Sequence, residues 1–296
     1  MMSSSWASKK KSAKAIRKLS EVLGESLSSH HHALLSSLLK ELPGRLWEGK
    51  EAILHAIGAL CTACHKSISV EDPTAPNAIL SAVSSACTKK LKTYSEAAYS
   101  CLQEVIKAFR NPGFFGIVFP LLSEVCIKAS ASKPRQTSLG TDASNAAEDK
   151  EEEVSAPLDK VLDCITSCIS VAHLPDVLEQ TKNLIHVFLV VLYPNLQWTV
   201  KMSAFSTIKQ LCSKTRSVVS DSQDTSLHAE ATVVIQEVHV AASECLLEVT
   251  KLYKDAQLMQ SEDVSYKSEL IHLCDVEKSE QAKSLLRKCI EILESL

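Results

Sequence analysis

Three short segments combine residue types that can do chemistry. The first runs from Gly44 to Glu51 (GRLWEGKE) and differs only in its last residue from the phosphate-binding pattern G-x-x-x-x-G-K-[ST]. Such a loop needs a preceding strand, small residues whose amides wrap phosphate, and a hydroxyl that binds Mg²⁺. Here a helical pattern precedes the segment, Leu46 and Trp47 are bulky, and Glu51 replaces the hydroxyl. The segment therefore indicates the start of a repeat helix rather than a nucleotide site.

The second segment, Cys61 to His65 (CTACH), matches the C-x-x-C-H pattern of covalently attached haem. Haem attachment needs an export signal and a second axial ligand, whereas these cysteines share an apolar helix face with Ile57 and Leu60. A zinc site would need a second cysteine pair. Cys164 and Cys168 could supply it only if the fold happened to bring them beside Cys61 and Cys64. We expect packed thiols, and no metal or cofactor.

The third segment is His30-His31-His32. Adjacent histidines point in different directions around a helix, and no Cys or carboxylate stands beside them, so a solvated helix end is favoured over a transition-metal site. The chain has no nucleophile elbow and no H-E-x-x-H pair. We therefore name no catalytic, cofactor-binding or metal residue and expect a protein that is not an enzyme.

Composition indicates which elements surround these segments. The 296 residues are 45% hydrophobic and 23% charged with a net charge of −3, which excludes a disordered chain and a strongly basic nucleic-acid binder. Only 7 Gly, 6 Phe, 5 Tyr and 3 Trp disfavour doubly wound α/β folds and β-sandwiches. Eleven cysteines, nearly all beside aliphatic residues, indicate buried thiols in a reducing compartment. An all-α protein remains.

The ends and the apolar runs predict a soluble protein. No apolar segment opens the chain, and the longest apolar run has ten residues, 184–193, far fewer than a membrane span of about 20 needs. The N-terminal segment is basic, and a transit peptide is the alternative to the amphipathic helix that Trp6, Ala13 and Ile16 favour. We interpret its lysines as a solvated helix face.

Apolar residues recur at helical spacing in almost every segment. The spacing predicts helices over residues 33–42, 46–68, 77–91, 95–109, 113–129 (kinked at Pro120), 158–169, 177–193, 196–215, 228–253 and 266–296. Turn residues separate them at Pro43-Gly44, Asp72-Pro73 and Pro76-Asn77. Residues 130–157, which include an acidic run, predict a disordered loop, and residues 216–227 a second polar loop. We expect HEAT-like repeats over 1–129, the loop over 130–157, and HEAT-like repeats with a C-terminal capping helix over 158–296.

An internal repeat supports this organisation. Trp47 and Lys50 align with Trp198 and Lys201 in the shared pattern W-x-x-K-x-x-Φ-Φ-x-x-I-x-x-L-C, where Φ is apolar, with a looser copy from Tyr94. The spacing of the two good copies fits units of roughly 40 residues, which are typical of HEAT or armadillo repeats. We predict a HEAT/armadillo-like α-solenoid of antiparallel helix pairs in which Trp47, Lys50, Trp198 and Lys201 are structural anchors.

The segment LPGRLWEGKEA, continuing to LCTAC, resembles the C-terminal part of the large HEAT-repeat proteasome adaptor and scaffold family, the "ECM twenty-nine" family. The WASKKK segment, Tyr94 to Cys101, the VFPL helix and Pro194 to Lys201 support the same resemblance. Members are several times longer, so we expect a C-terminal fragment. The family carries no binding residue that can be transferred to this sequence.

The resemblance implies a non-catalytic scaffold in the cytoplasm and nucleus. Its partners would be subunits of the proteasome regulatory and core particles, whose association it bridges or stabilises during assembly quality control. Nucleic acid, membrane insertion and small-molecule substrates are not expected. The alternative is a generic α-solenoid adaptor for another protein partner, such as a transport or trafficking protein.

Overall fold

The computed structural model describes residues 5–131, 156–192, 197–221 and 264–295, together with residues 236–240, 242–244, 246–247, 250–251 and 254. It divides into two compact units, Met1–Val171 and Ala172–Leu296. The predicted loop over 130–157 lies almost wholly outside the described residues. Throughout the described ranges the regular elements are helices and no strand occurs, so the predicted all-α class is confirmed.

Twelve helices are labelled here in chain order, apart from the partly described helical residues between 236 and 254. They are α1 Trp6–Leu23, α2 His31–Leu39, α3 Glu51–Glu71, α4 Ala75–Cys87, α5 Lys92–Phe109, α6 Phe114–Ala131, α7 Leu158–Val171, α8 Leu174–Glu179, α9 Thr181–Val191, α10 Trp198–Asp221, α11 Val264–Val276 and α12 Glu280–Glu294. A 3₁₀ helix, Gly24–His30, joins α1 to α2.

Within the first unit the helices form two layers. Helices α1, α3, α5 and α7 pack side by side, while α2, α4 and α6 each cover the helix that follows them in sequence. Trp6 stacks on Trp47 at one end of α1 and α3, and the Cys64 thiol lies 4.0 Å from the Gly24 carbonyl at the other end. Helices α1 and α3 are therefore parallel, and α5 runs the same way, since Lys50 lies beside Tyr94 and Gly58 beside Glu104. Repeated helix pairs produce this arrangement.

The core of this unit is centred on α3. Ile53, Leu54, Ile57, Leu60 and Cys61 are all fully buried, as the helical spacing of the sequence predicts. Helix α3 lies between α1 and α5 in its own layer and contacts α2 as well. Each large aliphatic side chain removed from water stabilises the fold by about 1.5–3 kcal/mol, so this shared seam holds the repeats together.

Helix α3 is also long and apolar enough to cross a membrane, alone among the helices described in full. Half of its most apolar 18-residue window is buried inside the structure. A central core helix passes the same test of length and composition, and the neighbours of α3 give it that environment.

Several helix boundaries differ from the prediction. Helix α3 begins at Glu51 rather than at residue 46, because Gly44 and Gly49 adopt positive φ angles of 93° and 96° that interrupt helical geometry. Pro76 lies in the first helical turn of α4 and not in the predicted loop before it. Proline is tolerated there because the backbone N–H groups of the first turn make no hydrogen bond within the helix. Pro120 lies inside α6, as predicted.

Two long predicted helices are each divided in the second unit. The segment 177–193 contains the end of α8 and all of α9, which meet at Gln180, and 266–296 contains most of α11 and all of α12. Glu277 produces the second break, since its carboxylate accepts the backbone N–H groups of Lys278 and Ser279. Helix α10 continues to Asp221, so the predicted loop over 216–227 is wrong up to that residue and lies outside the described residues thereafter.

The second unit contains a core cluster formed by α11, α12 and the helical residues 246–247. Its buried members are Leu247, Leu270, Cys274, Leu286 and Cys289, with Leu285, Ile290 and Leu293 packed beside them. The C-terminal apolar residues therefore pack against α11 and the helical residues 246–247. Elsewhere in this unit α10 packs against α8 and α9.

Candidate protein-interaction surface

The segment that resembles a phosphate loop folds around the chain's own ammonium group. Lys50 is 1% exposed, and its Nζ donates hydrogen bonds to the carbonyl oxygens of Leu42 at 2.9 Å, Pro43 at 3.3 Å and Arg45 at 3.3 Å. The same ammonium lies 5.9 Å from the centroid of the Tyr94 ring. Burial lowers the pKa of Lys50, since the charged form loses hydration. All three donors of this lysine are thus used inside the structure.

The geometry is the reverse of what a phosphate site requires. In a phosphate loop several backbone N–H groups point at a bound anion. In residues 42–45, by contrast, backbone carbonyl oxygens point at a cation, the Lys50 ammonium. A helix precedes the turn, as the sequence indicated. Lys50 belongs to the turn before α3, and its three hydrogen bonds fix that turn.

Positive φ angles of 93° and 96° explain why glycine occupies positions 44 and 49 of this turn. A Cβ atom on Gly49 would collide with the side chain of Lys10, which crosses it. Trp47 is buried, and its ring stacks on Trp6 with centroids 6.3 Å apart. The Trp6 contact was missed at the sequence level because Trp6 is 41 positions away from its partner in the chain.

The C-x-x-C-H segment contains packed thiols. Cys61 and Cys64 are buried in α3, and burial raises the pKa of both. His65 Nδ1 lies 3.2 Å from the carbonyl oxygen of Thr62 in its own helix. A neutral thiol is a poor metal ligand and nucleophile, because the thiolate is the reactive form.

The second cysteine pair is equally enclosed. Cys164 donates a hydrogen bond to the Tyr99 carbonyl at 3.1 Å, and burial raises the pKa of Cys168 to about 12. These cysteines join α7 to α5 as small core residues.

The three histidines diverge, as their adjacency predicts. His31 is buried, with Nδ1 against the Ser28 carbonyl and Nε2 3.3 Å from a Glu71 carboxylate oxygen, whereas His30 and His32 are exposed. Across the ranges that the structure describes, no group of three or more His, Cys, Asp or Glu residues is placed to hold a metal ion.

The second copy of the repeat differs from the first. Trp198 is 70% exposed at the start of α10, while Trp47 is 8% exposed, so Trp198 does not anchor neighbouring helices as predicted. Phe205, aligned with the fully buried Leu54, is 45% exposed, and Lys201 is partly buried on α10. Helix α3 is covered from several sides, whereas α10 packs against α8 and α9, so fewer of its apolar positions are enclosed.

This difference produces an exposed apolar ridge. Trp198, Met202 and Phe205 are spaced so that they follow one face of α10, with exposed fractions of 70%, 48% and 45%. The buried residues Val200, Ala204, Thr207 and Leu211 occupy the opposite face. We call the three exposed residues the apolar stripe; it extends over about 10 Å of helix. Its spacing was readable from the sequence, but the repeat alignment assigned Phe205 to the core.

A groove of about 460 Å³ also opens in the second unit. It is lined by α9 residues including Lys182 and Ile185, by residues of the helical stretch 236–244, and by the start of α12. The described residues that line it include lysine, glutamate and glutamine side chains and no Cys or His.

Comparison with known proteins supports the resemblance inferred from the sequence. The human "Proteasome adapter and scaffold protein ECM29" is 32% identical over 135 residues, which cover 44% of this chain and 7% of that protein. The match thus spans a small part of the relative's length. No family model matches the chain.

Among solved structures, the designed armadillo repeat protein YIII(Dq)4CqI covers 88% of this chain and 99% of its own chain. The TM-score is 0.38 and the sequence identity is 15%. The fold assignment rests on the helix contacts described above rather than on this superposition. The chain is a helical-repeat protein similar to part of a proteasome adaptor and scaffold.

Proposed function

We propose that the chain is a non-catalytic repeat scaffold that binds the proteasome and bridges or stabilises the association of its regulatory and core particles, as a step in assembly quality control. The observation that carries this proposal is the 32% identity to the human proteasome adaptor over 135 residues. The stacked helix pairs support it, because such stacks present long ridged surfaces to partner proteins. The same proposal locates the chain in the cytoplasm and the nucleus, which imaging of a tagged chain would test.

The apolar stripe supplies the contact surface in this proposal. Tryptophan is enriched among residues that dominate binding energy, and Met and Phe are enriched in interface cores. From Trp198 to residue 220, α10 contains four basic residues and no acidic one. An apolar ridge beside positive charge suits a partner surface that combines an apolar groove with acidic residues.

Co-purification tests the proposal directly. The tagged chain is recovered from cell extract, and subunits of both proteasome particles are quantified by mass spectrometry. The variant with Trp198→Ala, Met202→Ala and Phe205→Ala is compared with a matched control that carries Val70→Ala, Leu91→Ala and Ile117→Ala, three exposed apolar side chains of the first unit.

We expect both particles to be enriched with the wild-type chain and with the control, and to be reduced about tenfold or more with the stripe variant. Enrichment of one particle alone would contradict the bridging role. A different protein recovered without proteasome subunits would favour the alternative function, an adaptor for a transport or trafficking partner.

A further inference from the structure

Lysines gather at one end of the first unit, where α1, α3 and α5 begin. The parallel packing brings these three helix starts together, as shown by the Trp6–Trp47 stack and by the Lys50 ammonium beside the Tyr94 ring. We call the following residues the lysine edge: Lys9, Lys10, Lys11, Lys50, Lys89, Lys90 and Lys92. They come from three separate stretches of sequence, so only the fold creates the cluster.

Most of these lysines lack a counter-ion. Within residues 5–131, where every position is described, Lys9 pairs with Glu41 at 2.7 Å, but Lys10, Lys11, Lys89, Lys90 and Lys92 make no ion pair. Towards the opposite ends of α1 and α3 the basic groups are neutralised, since Arg17 and Lys18 pair with Glu21 and Lys66 pairs with Glu25. The charge is therefore asymmetric along α1 and α3.

The helices themselves add to the positive potential. The N-terminus of a helix has a partial positive charge, and α1 and α5 have no acidic residue in their first turns. Lysine at a helix N-terminus disfavours the helix, because its charge has the same sign as that end of the helix dipole, so this arrangement is not one that folding alone favours. The acidic residues close to these lysines in sequence or by ion pairing are Glu41, Glu48, Glu51 and Glu96, fewer than the seven lysines.

The charges lie close enough to influence one another. Burial is the main cause of the lowered pKa of Lys50; the charges of Lys89 and Lys9 lower it further, while the charge of Glu41 raises it. These interactions connect lysines of α1 and of the α4–α5 turn to the start of α3. Lys11, Lys89, Lys90 and Lys92 are exposed, so a ligand can reach them.

We propose that the lysine edge binds an acidic segment of a partner protein, an extended stretch rich in Asp and Glu. Packed helices lie 8–10 Å apart, so three of them span about 20 Å, which matches about six extended residues at 3.3 Å each. Carboxylates on such a segment would replace the missing counter-ions of Lys10, Lys11, Lys89, Lys90 and Lys92. This surface is on the first unit and is independent of the apolar stripe.

The composition of the edge favours carboxylates over nucleic acid. Its cations are lysines, which act as point charges, and the turn before α3 adds one exposed arginine, Arg45, the residue type that recognises phosphate bidentately. Single strands also stack successive bases on several aromatic platforms, and here Trp47 and Tyr94 are buried, which leaves Trp6 as the one exposed ring among these three. The chain as a whole has a net charge of −3, which repels a polyanion that extends beyond the edge.

A charge-reversal experiment tests the proposal. Binding of a fluorescent peptide of six alternating Glu and Asp residues is followed by anisotropy with the full chain. The edge variant carries Lys11→Glu, Lys89→Glu and Lys90→Glu. The matched control carries Lys107→Glu, Lys182→Glu and Lys209→Glu, three exposed lysines elsewhere, so both variants have the same net charge. Circular dichroism verifies that both remain folded.

We expect the edge variant to weaken peptide binding about tenfold or more and the control to change it less than about twofold. Raising the ionic strength from about 0.05 M to about 0.3 M should weaken binding by the wild-type chain, because salt screens exposed charges. Equal weakening by both variants would overturn the proposal in favour of a general charge effect. Tighter binding of a six-nucleotide single strand, lost in the edge variant, would overturn the assignment of the ligand as a protein segment.

Discussion

The indole rings of Trp6 and Trp47 lie within 9° of parallel, and this stack connects the first turn of α1 to the turn that precedes α3. Trp47 has little contact with solvent, while Trp6 is 53% exposed and covers it. The two residues are on different elements, so the stack fixes how the first helix is placed against the second helix pair. The stack joins α1 to the segment before α3, just as buried aliphatic side chains join α3 to α5.

The two tryptophans of the internal repeat should therefore differ sharply on truncation. We expect Trp47→Ala to lower the free energy of unfolding by about 3–5 kcal/mol, because it removes a large core side chain. Trp198→Ala should change it by less than about 0.5 kcal/mol, because that ring is 70% exposed. Chemical denaturation followed by circular dichroism measures both. Equal losses for the two variants would show that Trp198 is an anchor after all.

Lys50→Met should destabilise the turn before α3. Methionine keeps most of the side-chain length but has no donor, so the carbonyls of Leu42, Pro43 and Arg45 lose their partner. We expect a loss of about 3 kcal/mol in the same denaturation assay. Lys89→Met, at an exposed lysine nearby, is the control and should have little effect. A Lys50→Met protein as stable as wild type would mean that water replaces the ammonium.

Glu104 should make stability depend on pH in a direction opposite to that of most carboxyl groups. Burial raises its pKa above the ordinary 4.5, although the charge of Arg17 opposes the shift. The folded chain then binds the proton more tightly than the unfolded chain, so this group's contribution to stability falls as pH rises above 4.5.

Glu104→Gln removes that titration. The variant should be more stable than wild type at neutral pH, and the difference should shrink as the pH is lowered towards the ordinary value. Denaturation of both proteins across this range measures the difference. Glu124→Gln, at an exposed carboxyl paired with Lys128, is the control and should show no such trend. A difference that is constant with pH would exclude the titration as its cause.

Arg110 ends α5 in a left-handed conformation, with φ 49° and ψ 34°. A side chain with a Cβ atom is strained there, whereas glycine is not. Arg110→Gly should raise the free energy of unfolding by about 1 kcal/mol. Arg110→Ala removes the same charge but keeps the Cβ atom, so it should give no gain. If both variants gained equally, the charge and not the backbone would be responsible.

Helical periodicity predicted the regular part of the fold well. The apolar face of α3, from Ile53 to Cys61, is buried as its spacing indicates, and the helix over Leu158 to Ile169 is present as α7. The residues of such an apolar face are only a few positions apart in the sequence. A two-layer stack buries that face whichever helix packs against it.

Local turn geometry and the choice of neighbouring helices decided the rest. The beginning of α3 depends on the positive φ angles of Gly44 and Gly49, and the break before α12 depends on a carboxylate, that of Glu277, that accepts backbone N–H groups. The exposure of Trp198 and the gathering of the lysine edge depend on which helices become neighbours, which one repeat pattern cannot specify. In the sequence, Pro43-Gly44 followed by Gly49-Lys50 was the available signal for a tight turn around Lys50.

The inert thiols of the folded chain have a consequence for its handling. Eight of the ten cysteines that the structure describes are buried, and none of the ten forms a disulfide. Thermal unfolding would expose all of these thiols to water together. Their pKa values would then return towards that of an ordinary thiol, and oxidation would form disulfides between chains. Heat inactivation in air should then be irreversible, and recovery after cooling should require a reducing agent from the start.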